Sequence, residues 1–210
     1  LGRFDLRQGN AVSHIQGSLP VDLALYASRR WLPDQPISLR VRMTDGDFGV
    51  ASLFVPDLAS SAGKLSVNAD VSGTPTRPDV GGTLRLTNGV VRVAGRDEIL
   101  SGVEVDAAFE GQRLNVTRFV GQEGKRGRLN GTGSWRWADG KRWGEYEFRV
   151  HASDLTATDR ETYAIRFGGD FLLRNAVNPR GQEVLRVTNS TPAVVARGEI
   201  TLDFSQPREA

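Results

Sequence analysis

The chain reads as an all-β protein, an elongated antiparallel or mixed sheet with one short amphipathic helix. Three observations predict it. Apolar and polar side chains alternate along much of the 210 residues. The 24 glycines and 9 prolines fall between the alternating runs as turn signals. Only one segment, 47–58, has helical spacing. Period-2 alternation puts successive side chains on opposite faces of a strand, so each strand carries one apolar and one wet face.

The first expected strands are 11–17, 20–27 and 37–43. In the third, Ile37, Leu39, Val41 and Met43 share one face, with Ser38, Arg40 and Arg42 on the other. From Asp47 to Leu58 the apolar residues fall at Phe48, Ala51, Phe54, Val55 and Leu58. That spacing predicts a helix of about two turns, capped by Asp47 and stopped by Pro56. Strand 64–72 leads to a Gly/Pro corner at Gly73, Pro75, Pro78, Gly81 and Gly82. Strands 82–87 and 90–94 are expected to form a hairpin around Asn88 and Gly89, because Asn-Gly suits a two-residue turn. Further strands are expected at 99–110, 113–121, 127–137, 144–153, 162–174, 183–188 and 193–204. In the long run at 162–174, Gly169 marks a place for the sheet to bend.

Charge says little about partners. The net charge is +2, from 27 basic and 25 acidic residues, and 24 of the basic ones are arginine. They recur at polar strand positions, as in Arg40, Arg42 and Arg85, which describes a solvated outer face. A nucleic-acid binder concentrates its basic charge, so no nucleic-acid partner is expected. With no cysteine, disulfides, thiolate zinc sites and cysteine nucleophiles are excluded. No run approaches 18 apolar residues, the length of a membrane-spanning helix. A start at Leu1 without a signal-peptide pattern reads as a piece of a larger protein, any anchor lying outside it.

Catalytic chemistry finds no footing. His14 and His151 stand far apart, at polar positions and in no metal-ligand spacing. The carboxylate pairs Asp45/Asp47, Asp97/Glu98 and Glu145/Glu147 lie in turns or on outward positions, not across a cleft. Gly131 and Gly133 sit in a strand-like run with no helix after it, so they are no phosphate loop. The expectation is a protein that is not an enzyme and holds no cofactor and no metal. Basic residues at Lys125, Arg126, Arg128, Lys141 and Arg142 lie near Trp135, Trp137 and Trp143. Trp135 and Trp137 share a face with Leu129, which reads as core or a groove wall, and the cationic turns suit anionic lipid headgroups.

One short helix cannot cover a dozen apolar strand faces. Such a sheet must pack on a second sheet, close into a barrel, or leave a trough. The residues expected to face inward are Leu65, Val67, Leu84, Leu86, Val103, Val105, Phe109, Trp135, Trp137, Phe148, Val150, Ile165, Phe167 and Ile200. A weak internal repeat relates the run from Pro78 to Leu86 to the run from Pro192 to Leu202.

The run from Gly63 to Leu86 (GKLSVNADVSGTPTRPDVGGTLRL) resembles the body of TamB-family proteins, AsmA-like proteins of the translocation and assembly module. The resemblance continues through Asn88, Gly89 and Val91–Val93, then Leu100–Asp106, Gly111–Leu114 and Gly127–Ser134. It extends over about residues 17–204. It implies a β-taco-like curled sheet with an apolar concave groove, part of a long periplasmic protein anchored in the inner membrane. Residues 1–60 would end one β-repeat with its short helix, and 61–210 would continue the sheet as the next. The implied role is outer-membrane biogenesis, the groove shielding phospholipid acyl chains between the two membranes. The implied partners are phospholipid or another apolar ligand and, through the full-length protein, an Omp85-type outer-membrane protein. A second reading is assembly or autotransporter secretion of outer-membrane proteins by pairing with unfolded client β-strands. A third is a packed sandwich with a carbohydrate surface around Trp135, Trp137 and Trp143. The chain departs from the family pattern between Asn175 and Gly198, where Glu183–Val187 predicts an added hairpin or edge strand.

Overall fold

The computed structural model describes residues 2–8, 11–18, 35–49, 58–93, 98–137, 144–160, 163–179, 183–189 and 194–200. These form one antiparallel sheet of twelve strands: β1 (Gly2–Gln8), β2 (Ala11–Ser18), β3 (Ser38–Asp47), β4 (Leu58–Gly73), β5 (Pro78–Val93), β6 (Ile99–Gly111), β7 (Arg113–Glu123), β8 (Gly127–Arg136), β9 (Glu145–Arg160), β10 (Tyr163–Val177), β11 (Glu183–Asn189) and β12 (Val194–Ile200). Each strand from β1 to β11 pairs with the next in sequence. The strands β11 and β12 share one side of β10, lying against its C-terminal and N-terminal parts respectively. The sheet therefore grows by meander and is open, with β1 at one edge and β11 and β12 at the other. The expected extra edge strand is β11.

The described strands form a single layer. Substantial contact runs only between hydrogen-bonded neighbours, apart from a small approach of β12 to β9. Among the described residues no large side chain is fully buried. The chain exposes 14733 Å2, against roughly 9,600 Å2 for a compact protein of its size. The described strands thus make neither a packed sandwich nor a closed barrel.

Local chemistry explains the connections. Between β4 and β5 the Thr74 and Arg77 backbones bond each other in both directions, at 3.2 and 3.1 Å, and the Thr74 hydroxyl also accepts from the Arg77 amide. Pro78 follows as the first residue of β5, where its missing N–H is tolerated. Strand β4 runs through residues 60 and 61 without interruption, so one sheet holds both sides of that point. Asp47 accepts a hydrogen bond from the Gly49 amide at 2.7 Å, as a capping carboxylate does. Residues 48–49 lie in a 3-10 turn, and Leu58, the last residue of the expected helix, opens β4 instead; residues 50–57, like the whole of the expected strand at 20–27, lie outside the described residues.

One expectation is overturned. Asn88 and Gly89 do not turn the chain, because β5 runs from Pro78 to Val93 as one strand. Asn88 is left-handed (φ 51°) and forms a bulge: Leu86 faces Val105 while Gly89 faces Val103, one residue too many on β5. Asn-Gly supplies the positive φ that both a hairpin and a bulge require. Partners on both sides of β5 decide for the bulge. Asp45 and Asp154 carry φ 52° at similar shifts in β3 and β9. Gly102 (φ 56°) does so in β6. Bulges increase the local twist and bend the strand that carries them.

Candidate functional site: the apolar face

Residues directly opposite in an antiparallel ladder share a face, so the registers assemble apolar rows across the strands. One row runs Met43, Val67, Leu84, Ala107, Val116, Gly133, Phe148 and Leu173. The next runs Gly46, Leu65, Leu86, Val105, Phe119, Gly131, Val150 and Phe171. A third runs Ile15, Val41, Ala69, Gly82, Phe109, Leu114, Trp135 and Tyr146. Eleven of the fourteen residues expected to face inward fall in or beside these rows. Of those eleven, Leu86 and Val103 are buried, Trp135 is exposed, and the others are half-buried. Phe167 is half-buried opposite Leu155 and meets the Phe171 ring edge-on at 5.8 Å. Ile165 and Ile200 have ladder positions in β10 and β12, opposite Gly198 and Tyr163, and their side chains lie outside the described residues.

An aromatic cluster closes one end of the face. Trp137 meets Trp135 edge-on at 5.6 Å and Phe109 at 6.4 Å. Its indole Nε1 is buried without a hydrogen-bond partner among the described residues. The glycines of β8 belong to the same packing. A Cβ at Gly133 would lie 2.3 Å from the Phe148 ring, so the ring occupies the space that a side chain would fill.

Leu114, Val116 and Phe119 of β7 stand in the rows, yet the expected set contained no residue of this strand. Alternation through Leu114 and Val116 breaks at Thr117 and Arg118, then resumes one place out of phase at Phe119. The ladder shows the cause: β7 has an extra residue between Val116 and Phe119 opposite Gly133 and Gly131. A phase break in the alternation is the one sequence signal that could have found it.

The opposite face is an ion-pair ladder. Arg85 pairs with Asp106 at 2.7 Å, Arg118 with Glu104, Arg149 with Glu147 at 2.9 Å and His151 with Asp170 at 2.8 Å. Each exposed pair contributes at most about 1 kcal/mol, so the ladder orders side chains more than it stabilises. Two cavities, of about 740 and 640 Å3, open on this polar face over β7–β10. Among the described residues no group of three or more His, Asp or Glu is placed to hold a metal ion.

Asp70 offers a titration test of the ladder. Its carboxylate accepts from Arg42 Nη2 at 2.9 Å and Arg40 Nε at 3.0 Å. The Arg42 hydrogen bond first, and the Arg40 bond second, hold the carboxyl below the usual aspartate value. A depressed carboxyl contributes stability above its unfolded pKa and loses it as pH falls through the folded one. An NMR titration of Asp70 should therefore have its midpoint below about 3.9. Arg42→Gln should move that midpoint up more than Arg40→Gln does, and an equal or reversed response would contradict the assignment.

Compared with known proteins, the chain matches no family model, no curated protein and no solved structure.

Proposed function

We propose that the sheet curls around its apolar face and that the resulting groove shields lipid acyl chains. This is a non-enzymatic role in moving phospholipid between the inner and outer membranes, as part of a TamB-like periplasmic protein anchored in the inner membrane. The observation that carries the reading is the pair of apolar rows that run in register across eight strands, with no second layer over them among the described residues. A one-sided sheet is stable in water only if something apolar meets that face. Each acyl CH2 moved out of water gains about 0.8 kcal/mol. On β3–β7 and β9 the described side chains on the apolar face are also mostly less exposed than those on the polar face. In a single layer, concavity toward the apolar side would have that effect. The family and the compartment rest on the sequence likeness alone, as does an Omp85-type partner reached through the full-length protein.

A second reading has its own observation. At the β11 edge Val184, Leu185 and Val187 are exposed, with Val177 beside them on β10. An edge strand with exposed β-branched residues is a template for another strand, which suits capture of client outer-membrane segments.

Photo-crosslinking separates the two. Probes at Phe148 and Val105 should capture phospholipid, while probes at Arg149 and Glu104 on the polar face should not. Equal capture from both faces would sink the groove. A probe at Leu185 that captures unfolded outer-membrane protein, with no lipid at Phe148, would establish the second reading instead.

A further inference from the structure

Two Asn-Gly pairs lie inside strands of this sheet, and the ladders hold them differently. Asn130 and Gly131 stand in β8 with partners on both sides. Asn130 lies between Val120 and His151, and Gly131 between Phe119 and Val150. Asn88 has no ladder partner on either side. Against β4 the register passes from Thr87, opposite Lys64, to Val90, opposite Ala62. Against β6 it passes from Leu86, opposite Val105, to Gly89, opposite Val103. Asn88 is exposed and left-handed at φ 51°, and its side-chain amide makes no hydrogen bond among the described residues. Asparagine tolerates that conformation better than most residues with a side chain, so it holds the bulge without being held by a neighbour.

We propose that Asn88 is a site of spontaneous covalent modification in the folded protein, converting to aspartate and isoaspartate, and that Asn130 is protected from it. The backbone nitrogen of Gly89, which has no side chain beside it, attacks the Asn88 side-chain carbonyl carbon. A C–N bond forms, and the side-chain amide leaves as ammonia with the proton that the Gly89 nitrogen gives up. Water then opens the cyclic imide. Opening at the side-chain carbonyl leaves aspartate, and opening at the main-chain carbonyl leaves isoaspartate. Water is the only co-reactant. To reach the imide the Asn amide must swing over the next peptide nitrogen, which turns the backbone on both sides of it. At Asn130 that movement pulls a fully paired residue away from β7 and β9. At Asn88 no ladder pairing of the residue itself is lost, and local opening is easier where fewer such bonds must break. Either product puts a new carboxylate at an exposed position. Isoaspartate also lengthens the backbone of β5 where that strand already has one residue too many against β6. The site lies in the bulge and does not depend on the groove.

The test uses the whole chain, aged in mildly alkaline buffer well below its melting temperature and sampled at intervals. Peptide mapping by mass spectrometry reads the amide-to-acid conversion at each asparagine, and circular dichroism follows the fold. In the folded protein Asn88 should convert at least about fivefold faster than Asn130. In concentrated urea, where no ladder holds either pair, the two rates should agree within about twofold. Fragmentation that separates isoaspartate from aspartate should find both at position 88, as opening of an imide requires. Equal rates in the folded protein overturn the proposal, as does a faster Asn130. A rate ratio that persists in urea also overturns it, because the flanking sequence and not the bulge would then set the rate. Aspartate without isoaspartate rules out attack by the Gly89 nitrogen and overturns it as well.

Discussion

Gly82→Ala is expected to destabilise the sheet by about 2–5 kcal/mol, while Gly81→Ala is expected to be neutral or stabilising by up to about 1 kcal/mol. The two glycines are adjacent in β5 and differ in what a methyl group would meet. At Gly82 the backbone has φ 139°, a conformation that residues with a Cβ rarely adopt. A Cβ there would lie 2.0 Å from the Asn68 carbonyl oxygen and 2.7 Å from the Ala69 Cα. Both are backbone atoms of β4, held by the ladder, so neither can move cheaply. At Gly81 a Cβ would meet nothing within 4 Å. Its methyl group would point from the polar face and mainly reduce the freedom of the unfolded chain. Urea denaturation followed by circular dichroism reads both effects. Equal midpoints for the two variants would mean that β4 and β5 do not approach as closely as the register of Ala69 on Gly82 requires.

That pair of glycines also marks where sequence reading stops. Alternation at Ile37–Met43, Val103–Phe109 and Tyr146–Val150 was legible, because period 2 is a local property and each side chain reports its own face. The composition of the Gly73–Gly82 corner was legible too, since Gly and Pro restrict or free φ whatever surrounds them. The reading failed where pairing across strands decides the outcome. Asn88 and Gly89 fit a hairpin and a bulge equally well until β4 and β6 are known to flank them. The β7 residues escaped because one extra residue shifts the phase, and only the opposite strand shows where it sits. Gly133 gave no hint that the Phe148 ring fills the place of a side chain, nor Gly131 that Arg149 and Val150 do, since that space belongs to the neighbouring strand. For the candidate site, which residues are apolar on one face could be read directly. What covers that face could not, because alternation is the same whether the face meets a second sheet, a lipid or water.

The bulges bear on the same question. Asp45, Asn88, Gly102 and Asp154 put left-handed residues into four different strands. In β7 and β9 the distorted end is held together by a carboxylate: Glu123, itself buried, accepts from the Thr156 amide at 2.6 Å across the start of β8. Gly127 makes this reach possible, as a Cβ there would lie 2.9 Å from the Glu123 side chain. Arg166 completes the cluster, bonding Asp154 at 2.7 Å and the Thr156 hydroxyl at 3.2 Å. Together with the mid-strand bulge of β7, these distortions add local twist to a single sheet and bend the strands that carry them.

Val105→Glu and Leu86→Glu then separate packing from cargo binding. The two residues face each other across β5 and β6 in the same apolar row. Leu86 is 3% exposed, so a glutamate there is desolvated with no cation to meet it. That variant should lose about 3–5 kcal/mol and fail to fold at moderate denaturant. Val105 is half-buried, and a longer side chain can carry its carboxylate toward solvent along the open face. Its replacement should cost only about 1–2 kcal/mol. If acyl chains lie on this face, the same carboxylate projects into their path. Val105→Glu should then keep the parent's far-ultraviolet spectrum while capturing at least tenfold less phospholipid, a loss of about 1.4 kcal/mol. A folded Val105→Glu that captures lipid as well as the parent would remove the groove from consideration. One that unfolds alongside Leu86→Glu would show that the row exists to hold the sheet together and nothing more.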